Sequence, residues 1–312
     1  MNTPINDPRF AALKGKIIDF RLRPPTGAYR VFFSEVLVGR ACGIFGNPQV
    51  PASYRKSLEG KPDSDDLAIG VLIEEMNASG ICLGIMNGRH SPNRAVPVHI
   101  YDADLKAISD KVGGRFQSLA GIDLDQPIDT IVSGIDHAVK ELGMLGVCIE
   151  PGLARKAMYA EDERLMPIYQ KVSDLGVPLM FMSGPLAGPD NTHTDPVHFE
   201  RVARTFPKMP VVLGHGAYPY VTESIALAFK SQMTGAMNVY LSPDVYMFAP
   251  GGNAYVEAID FMPERMLFGS AYAFCGVDVA VARNLAFPIS DEALPKYMYQ
   301  NAARILRLPN QP

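Results

Sequence analysis

The sequence predicts an α/β protein folded as a single (β/α)8 barrel with eight parallel strands. Short apolar runs alternate with amphipathic stretches about eight times along the 312 residues, and this alternation is typical of a parallel sheet covered by helices. No internal repeat and no shift in composition divides the chain, and barrels of this length fold as one domain. No GxGxxG motif follows the first apolar run, which disfavours an open dinucleotide-binding sheet.

The elements are predicted from apolar runs closed by Gly, Pro or polar residues and from helical apolar spacing. The predicted strands are residues 16–20, 81–86, 116–124, 146–150, 177–182, 210–213, 238–241 and 266–269. The predicted helices are residues 65–78, 102–112, 128–142, 163–175, 196–205, 221–230, 253–261 and 291–306.

Two further stretches lack such patterns within the single predicted domain of residues 1–312. Residues 26–66 are rich in Gly, Pro and Ser and are predicted to be an inserted lid or interface segment after the first strand. Residues 87–93 are predicted to be a polar loop that exposes His90.

Composition narrows the classes of partner. The net charge of −4 argues against nucleic acid or an anionic membrane, and no run approaches the ~20 apolar residues of a membrane span. The N-terminus lacks an apolar core of signal-peptide length. The four cysteines share no CxxC spacing, which favours reduced thiols over a zinc or redox motif. We therefore expect a cytoplasmic protein with a small-molecule partner, and residues 26–66 could build a homodimer interface.

Ionisable residues follow three of the predicted strands. His215 lies just after the run at 210–213, Glu150 ends the run at 146–150, and Asp244 lies shortly after the run at 238–241. Ligands bind at the carboxyl ends of the strands in parallel α/β proteins, so these three residues are the catalytic candidates. The alternative for His215 is a core or capping histidine bonded to the backbone.

Arg21 and Arg23 lie two residues apart at the end of the first strand, which places both on one face. Guanidinium groups match the geometry of carboxylates, and the pair is therefore predicted to bind the anionic part of a substrate. The alternatives are two solvated side chains or a structural salt bridge to Glu150 or Asp244. The further substrate-binding candidates at strand ends and in the adjoining loops are Tyr218, Tyr272, Met182 and His193.

Nine segments in sequence give the chain a family resemblance. It resembles the amidohydrolase-related proteins, in the branch that includes aminocarboxymuconate-semialdehyde decarboxylase, the resorcylate decarboxylases and pyrone-dicarboxylate lactonase. The matching segments are residues 17–25, 72–81, 114–123, 146–152, 162–184, 206–230, 238–244, 266–272 and 301–308. The resemblance implies a (β/α)8 barrel with its site at the carboxyl ends of the strands.

The resemblance also implies where a divalent metal would be bound, and this chain departs from that pattern. Arg21 and Arg23 stand at the two histidine positions after strand 1, Met182 at the strand-5 histidine and Ala271 at the strand-8 aspartate. The family's acid–base histidine after strand 6 is retained as His215. A guanidinium cannot ligate a metal, alanine has no ligand atom, and a thioether suits soft metals. We therefore expect no catalytic metal and no other cofactor.

Three functions remain open. The first is a metal-independent hydrolase of a small anionic, lactone-like carbonyl compound, with His215 as general base and Arg21 and Arg23 as the anion or oxyanion clamp. The second is a decarboxylase of an aromatic or unsaturated carboxylate, in which His215 or Glu150 protonates carbon. The third is a non-catalytic binding protein on the same barrel. Two buried arginines without a ligand would be costly, which favours an enzyme over the third alternative.

Overall fold

The structure, a computed structural model, describes residues 5–27, 29, 35–47, 49–93 and 98–309. Its strands are β1 (Ile17–Asp19), β2 (Ile81–Asn87), β3 (Arg89–Ser91), β4 (Val98–Ile100), β5 (Phe116–Gly121), β6 (Gly146–Ile149), β7 (Leu179–Met182), β8 (Val211–Gly214) and β9 (Val239–Ser242). Seven of these form one parallel sheet in the order β1-β2-β5-β6-β7-β8-β9, and β3 and β4 pair as a separate antiparallel hairpin.

A short eighth segment closes the sheet into a barrel. Met266 forms a parallel bridge with Leu241 of β9, and the Leu267 amide donates to the Leu241 carbonyl at 2.8 Å. On the other side, the Phe20 amide donates to the Phe268 carbonyl at 2.9 Å. The segment therefore joins β9 to the end of β1, and the predicted (β/α)8 barrel is confirmed. The predicted eighth strand is shorter than expected because it makes only these few ladder contacts.

The helices alternate with the strands of the barrel. They are α1 (Phe10–Leu13), α2 (Glu35–Ile44), α3 (Ala52–Ser57), α4 (Ser64–Ala78), α5 (Asp102–Lys111), α6 (Ile128–Lys140), α7 (Met166–Leu175), α8 (Pro196–Thr205), α9 (Val221–Thr234), α10 (Asn253–Phe261), α11 (Val277–Leu285), α12 (Ala293–Pro295) and α13 (Asn301–Ile305). The sequence predicted α8 and α10 with these bounds. None of the described helices is both long and apolar enough to cross a membrane.

Alternation along the strands divides the core in two. Side chains such as Ile18, Leu83 and Val212 point into the barrel and pack in one cluster. Their neighbours, such as Ile17 and Val211, point outward and pack with the helices in a second, larger cluster. The barrel interior is therefore filled by side chains, and space for a ligand remains at the carboxyl ends of the strands.

The largest departures from the predicted elements lie where apolar periodicity is weak. The described part of residues 26–66 contains α2 and α3, while residues 28, 30–34 and 48 lie outside the description. A lid or interface role for this segment stays a prediction. Residues 89–91 form β3 and are not a loop, and α11 was not predicted. The predicted terminal helix is interrupted by a π-helical turn at Lys296–Gln300.

Candidate active site

A pocket opens at the carboxyl ends of the strands, next to most of the predicted site residues. Its cavity volume is about 60 Å³. Its lining residues are Arg21, Arg23, Leu37, Arg89, Glu150, Met182, Ser183, Leu186, Ala187, His215, Tyr246 and Phe274. The narrow interior fits a small ligand.

The guanidinium of Arg21 is buried and only partly bonded. Its Nη1 donates to Oδ1 of Asn87 at 2.8 Å. Its Nε and Nη2 are also buried, and they have no hydrogen-bond partner within the described residues. Gly269 makes room for this side chain, because a Cβ there would lie 2.9 Å from the Arg21 Cβ. The Nε/Nη2 edge of Arg21 is thus a buried pair of donors beside the pocket.

The Nε/Nη2 edge of Arg23 donates hydrogen bonds to backbone carbonyls. Its Nε donates to the Tyr272 carbonyl at 2.7 Å and its Nη2 to the Ala271 carbonyl at 2.5 Å. Its guanidinium also lies 4.6 Å from the ring centroid of Phe274. Burial, and next the charge of Arg21, lower the pKa of Arg23. Arginine keeps its proton in proteins, so both side chains bring positive charge to the pocket.

Glu150 pairs with a third arginine. Arg89 Nε donates to Glu150 Oε2 at 3.0 Å, and Arg89 Nη2 contacts Oε1 of the same carboxylate. The hydroxyl of Ser91 also donates to Oε2. These bonds hold the Glu150 carboxylate as an acceptor at the pocket wall. The bidentate partner of the Glu150 carboxylate is thus Arg89, which the sequence did not predict.

His215 and Asp244 form a close pair. Nδ1 of His215 lies 2.7 Å from Oδ2 of Asp244, within ion-pair distance although not aligned as a linear hydrogen bond. Because Nδ1 faces Asp244, the opposite ring nitrogen, Nε2, faces the pocket. Burial lowers the pKa of His215, the Asp244 charge partly offsets this effect, and the charges of Arg21 and Arg23 lower the pKa further. The imidazole is therefore neutral near pH 7.

Strained backbone places these groups. His215, Asp244 and Ala271 have positive φ angles of 59°, 45° and 52°, although none is glycine. Each follows a strand or the eighth segment of the barrel. Such conformations cost about 1–3 kcal/mol each and cluster at functional sites. The Ser183 hydroxyl supports the His215 turn, because it contacts the Gly214 carbonyl and accepts from the Ala217 amide.

Three predicted substrate-binding residues lie beside the pocket lining and not within it. The Tyr272 hydroxyl points away to Ser53, at 2.7 Å. Tyr218 stacks on Tyr246, with ring centroids 4.7 Å apart, and so supports a lining residue. His193 stacks on Tyr159, with its Nδ1 3.3 Å from Asp190. Met182 does line the pocket.

Asn87 and Arg89 were missed as site residues because residues 87–93 were interpreted as a solvent-exposed loop. Both are buried, at 0% and 3% exposure. A signal was present, since both follow directly on a buried apolar run, as His215 does. His90, predicted to be exposed, is partly buried against His99.

The residues at the metal-ligand positions of the family do not fit a divalent metal. Two are the guanidinium groups of Arg21 and Arg23, and the backbone carbonyl of Ala271 is bonded to Arg23. Guanidinium has no lone pair to donate and would repel a cation. In the described part of the chain, no three His, Cys, Asp or Glu side chains are grouped so that they could hold a metal ion.

Together, the fold and this pocket define a TIM-barrel protein with polar groups at the carboxyl ends of its strands. The model of the amidohydrolase family (Amidohydro_2) matches residues 59–308, and the chain belongs to this family. An uncharacterized TIM-barrel protein from Bordetella bronchiseptica is 33% identical, with a TM-score of 0.80, and the match covers 94% of this chain and 98% of that one. No curated protein matches the chain in sequence.

Two further structures share the fold at low identity. The 5-carboxyvanillate decarboxylase from Sphingomonas paucimobilis is 14% identical, with a TM-score of 0.62, and the match covers 94% of this chain and 99% of that one. The 2,6-dihydroxybenzoate decarboxylase from Rhizobium is 16% identical, with a TM-score of 0.58, and the match covers 83% of this chain and 96% of that one. Both similarities concern the barrel.

Proposed function

We propose that the protein is a metal-independent hydrolase of a small carbonyl compound, such as a lactone or ester, that carries a carboxylate. The observation that carries the proposal is the buried, unpaired Nε/Nη2 edge of Arg21, which lines the same pocket as His215, the partner of Asp244. Two unpaired donors on a buried cation are costly, and this cost favours a site that is completed by an anion.

In this proposal His215 is the general base. Asp244 faces Nδ1 and favours the tautomer that carries its proton there, which leaves the Nε2 lone pair for a water molecule. Nε2 takes a proton from the water as its oxygen bonds to the carbonyl carbon. When the tetrahedral intermediate collapses and the C–O bond to the leaving group breaks, Nε2 returns the proton to the leaving oxygen.

In this proposal, the two arginines bind the substrate and stabilise the transition state electrostatically. Arg21 holds the substrate carboxylate, and Arg23, fixed by its backbone contacts, adds positive potential that stabilises the oxyanion formed during attack. The walls contributed by Met182, Tyr246 and Phe274 are apolar, and they favour a flat, unsaturated body on the substrate.

Decarboxylation is the second candidate. The named decarboxylases that share the fold act on aromatic carboxylates, and Arg21 could bind such a group while His215 protonates carbon. However, a guanidinium bonded to the carboxylate stabilises the ground state, whereas decarboxylation must move that charge into the ring. Hydrolysis is therefore favoured over decarboxylation. The alternative of a binding protein predicts anion binding without turnover.

The test is a panel of carboxylated lactones and aryl esters, together with hydroxybenzoates, assayed in water enriched in oxygen-18. Hydrolysis incorporates the label into the product acid, whereas decarboxylation releases carbon dioxide. His215→Asn should abolish the activity. His198→Asn is the matched control, because Nδ1 of His198 also lies 2.7 Å from a carboxylate, that of Glu161, outside the pocket lining. Carbon dioxide release, or turnover that survives His215→Asn, would refute the proposal.

A further inference from the structure

The Nε/Nη2 edge that is unpaired in Arg21 is bonded in two other arginines of the same pocket. Nε and Nη2 of a guanidinium are parallel donors that match the two oxygens of a carboxylate. Arg89 uses these two atoms to hold the carboxylate of Glu150, and Arg23 uses them for two carbonyls. Of these three arginines, only Arg21 has both atoms buried without a partner within the described residues.

Asn87 sets the orientation of that edge. Its side-chain oxygen accepts from Arg21 Nη1 at 2.8 Å, and its side-chain nitrogen contacts the sulfur of Met180 at 3.4 Å. Its backbone is held as well, because the Tyr29 hydroxyl donates to the Asn87 carbonyl at 2.8 Å and accepts from the Asn87 amide at 3.1 Å. Fixing Nη1 in this way sets the plane of the guanidinium and therefore the direction of its Nε/Nη2 edge.

We infer that the site selects a monoanionic carboxylate and that Asn87 determines this selectivity as a positioning residue. The inference rests on the anion site of the proposed function and names its substrate class. A carboxylate brings two oxygens and one charge, which the Arg21 edge satisfies. A phosphonate dianion would bring a third oxygen and a second charge into a narrow pocket where the corresponding edges of Arg23 and Arg89 are occupied.

The experiment is calorimetric titration of the full-length protein with benzoate, benzamide and phenylphosphonate, at a pH where phenylphosphonate is a dianion. Benzoate should bind roughly tenfold or more tightly than either of the others. Asn87→Asp keeps the shape of the side chain but places a carboxylate on Arg21 Nη1, which offsets the charge that benzoate needs. The variant should lose roughly tenfold in benzoate affinity, whereas its benzamide affinity should not change. The ratio of benzoate to benzamide affinity should therefore fall, which general loosening of the pocket would not produce, since it would weaken both ligands alike.

Asn284→Asp is the matched control. Asn284 is also buried, its side-chain oxygen accepts from the Tyr297 hydroxyl at 2.8 Å, and it is not part of the pocket lining. This variant should keep the wild-type benzoate affinity and selectivity. Wild-type binding of phenylphosphonate as tightly as benzoate, or an unchanged ratio of benzoate to benzamide affinity in Asn87→Asp, would overturn the inference. A protein that binds benzoate selectively but hydrolyses nothing on the panel would refute the proposed function and leave the inference standing.

Discussion

Arg21 and Arg23 are neighbours in sequence and both buried, yet their side chains have different energetic roles. Arg23 satisfies two carbonyls, whereas Arg21 has two buried donors without partners within the described residues. We expect Arg21→Met to abolish benzoate binding with little loss of stability, because it removes a desolvated charge and two unpaired donors at the cost of one hydrogen bond, that to Asn87. Urea unfolding and calorimetry measure the two effects. A variant that still binds benzoate would show that the anion site lies elsewhere.

Arg23→Met is the complementary variant. It leaves the Ala271 and Tyr272 carbonyls without their donors, and an unsatisfied buried group costs about 1–3 kcal/mol. We expect the free energy of unfolding to fall by about 3 kcal/mol, an amount that the same urea titration resolves. Stability equal to that of Arg21→Met would contradict the division of roles between the two arginines.

The titration of His215 tests the pair that it forms with Asp244. Burial lowers its pKa, so the imidazole should take up a proton only below about pH 6.5. The Asp244 charge is the largest effect opposing that shift. Asp244→Asn should therefore move the titration to still lower pH. Nuclear magnetic resonance of the ring nitrogens measures both values, with His215→Asn assigning the signal, and a shift to higher pH in Asp244→Asn would contradict the arrangement.

At the scale of elements, the sequence predicted which residues follow each strand but not where every side chain points. His215, Asp244 and the two arginines were found because an apolar run of strand length ends shortly before each of them. Tyr272 stands at an equivalent position, but its hydroxyl points to Ser53 in a helix outside the barrel. Such a direction depends on backbone angles at the strand end, as in the positive φ of Ala271, and no local residue pattern specifies them.

The junction of α5 and β5 offers a stability prediction. Asp102, the first residue of α5, accepts the Gly121 amide at 2.9 Å, and burial raises its pKa to about 6. Above that pH the folded protein holds an ionised, desolvated carboxylate. As the pH falls from about 6 to about 4, the folded state takes up a proton that the unfolded chain does not, so its stability increases.

Asp102→Asn removes this cost and keeps an oxygen for Gly121. A shift of about two pKa units corresponds to a gain of about 3 kcal/mol in the free energy of unfolding. The variant also loses the interaction of the charged carboxylate with the helix dipole, which lowers this gain by about 0.3–1 kcal/mol. We therefore expect the variant to be about 2 kcal/mol more stable than wild type near pH 8 and equal to it near pH 4. Asp104→Asn, exposed in the same helical turn, is the control and should not gain stability. A gain that is independent of pH would refute the explanation.

For the whole molecule, the count of apolar runs predicted a closed barrel, but it did not predict which contacts close the barrel between β9 and β1. Residues 266–269 were predicted to be a strand like the others, but they contribute a bridge and a few hydrogen bonds. We call the junction of residues 266–269 with β1 and β9 the seam of the barrel. Asp19 reinforces this seam, because Oδ1 accepts the amides of Arg21 and Ser270 at 3.0 and 2.9 Å. Its Oδ2 also accepts the Ser270 hydroxyl. These partners lie up to 251 residues apart in sequence, and no local pattern reports such a contact.

The seam gives a prediction for the stability of the whole barrel. Asp19→Ala leaves three buried donors without an acceptor, and we expect the free energy of unfolding to fall by about 3 kcal/mol. Asp260→Ala is the matched control, because Asp260 makes the same contacts to the amide and hydroxyl of Ser290 at an exposed position. Water can replace that carboxylate, so the loss there should stay below about 1 kcal/mol.

The loss in Asp19→Ala should also be localised at the point of closure. The Phe20 amide, bonded across the seam to Phe268, should exchange its hydrogen faster than amides between β6 and β7, such as that of Val147. Hydrogen exchange read by nuclear magnetic resonance distinguishes these positions. Uniform acceleration around the sheet would mean that Asp19 stabilises the barrel without holding its seam. Faster exchange confined to Phe20 and Leu267 would identify the eighth segment as the part of the barrel that opens first.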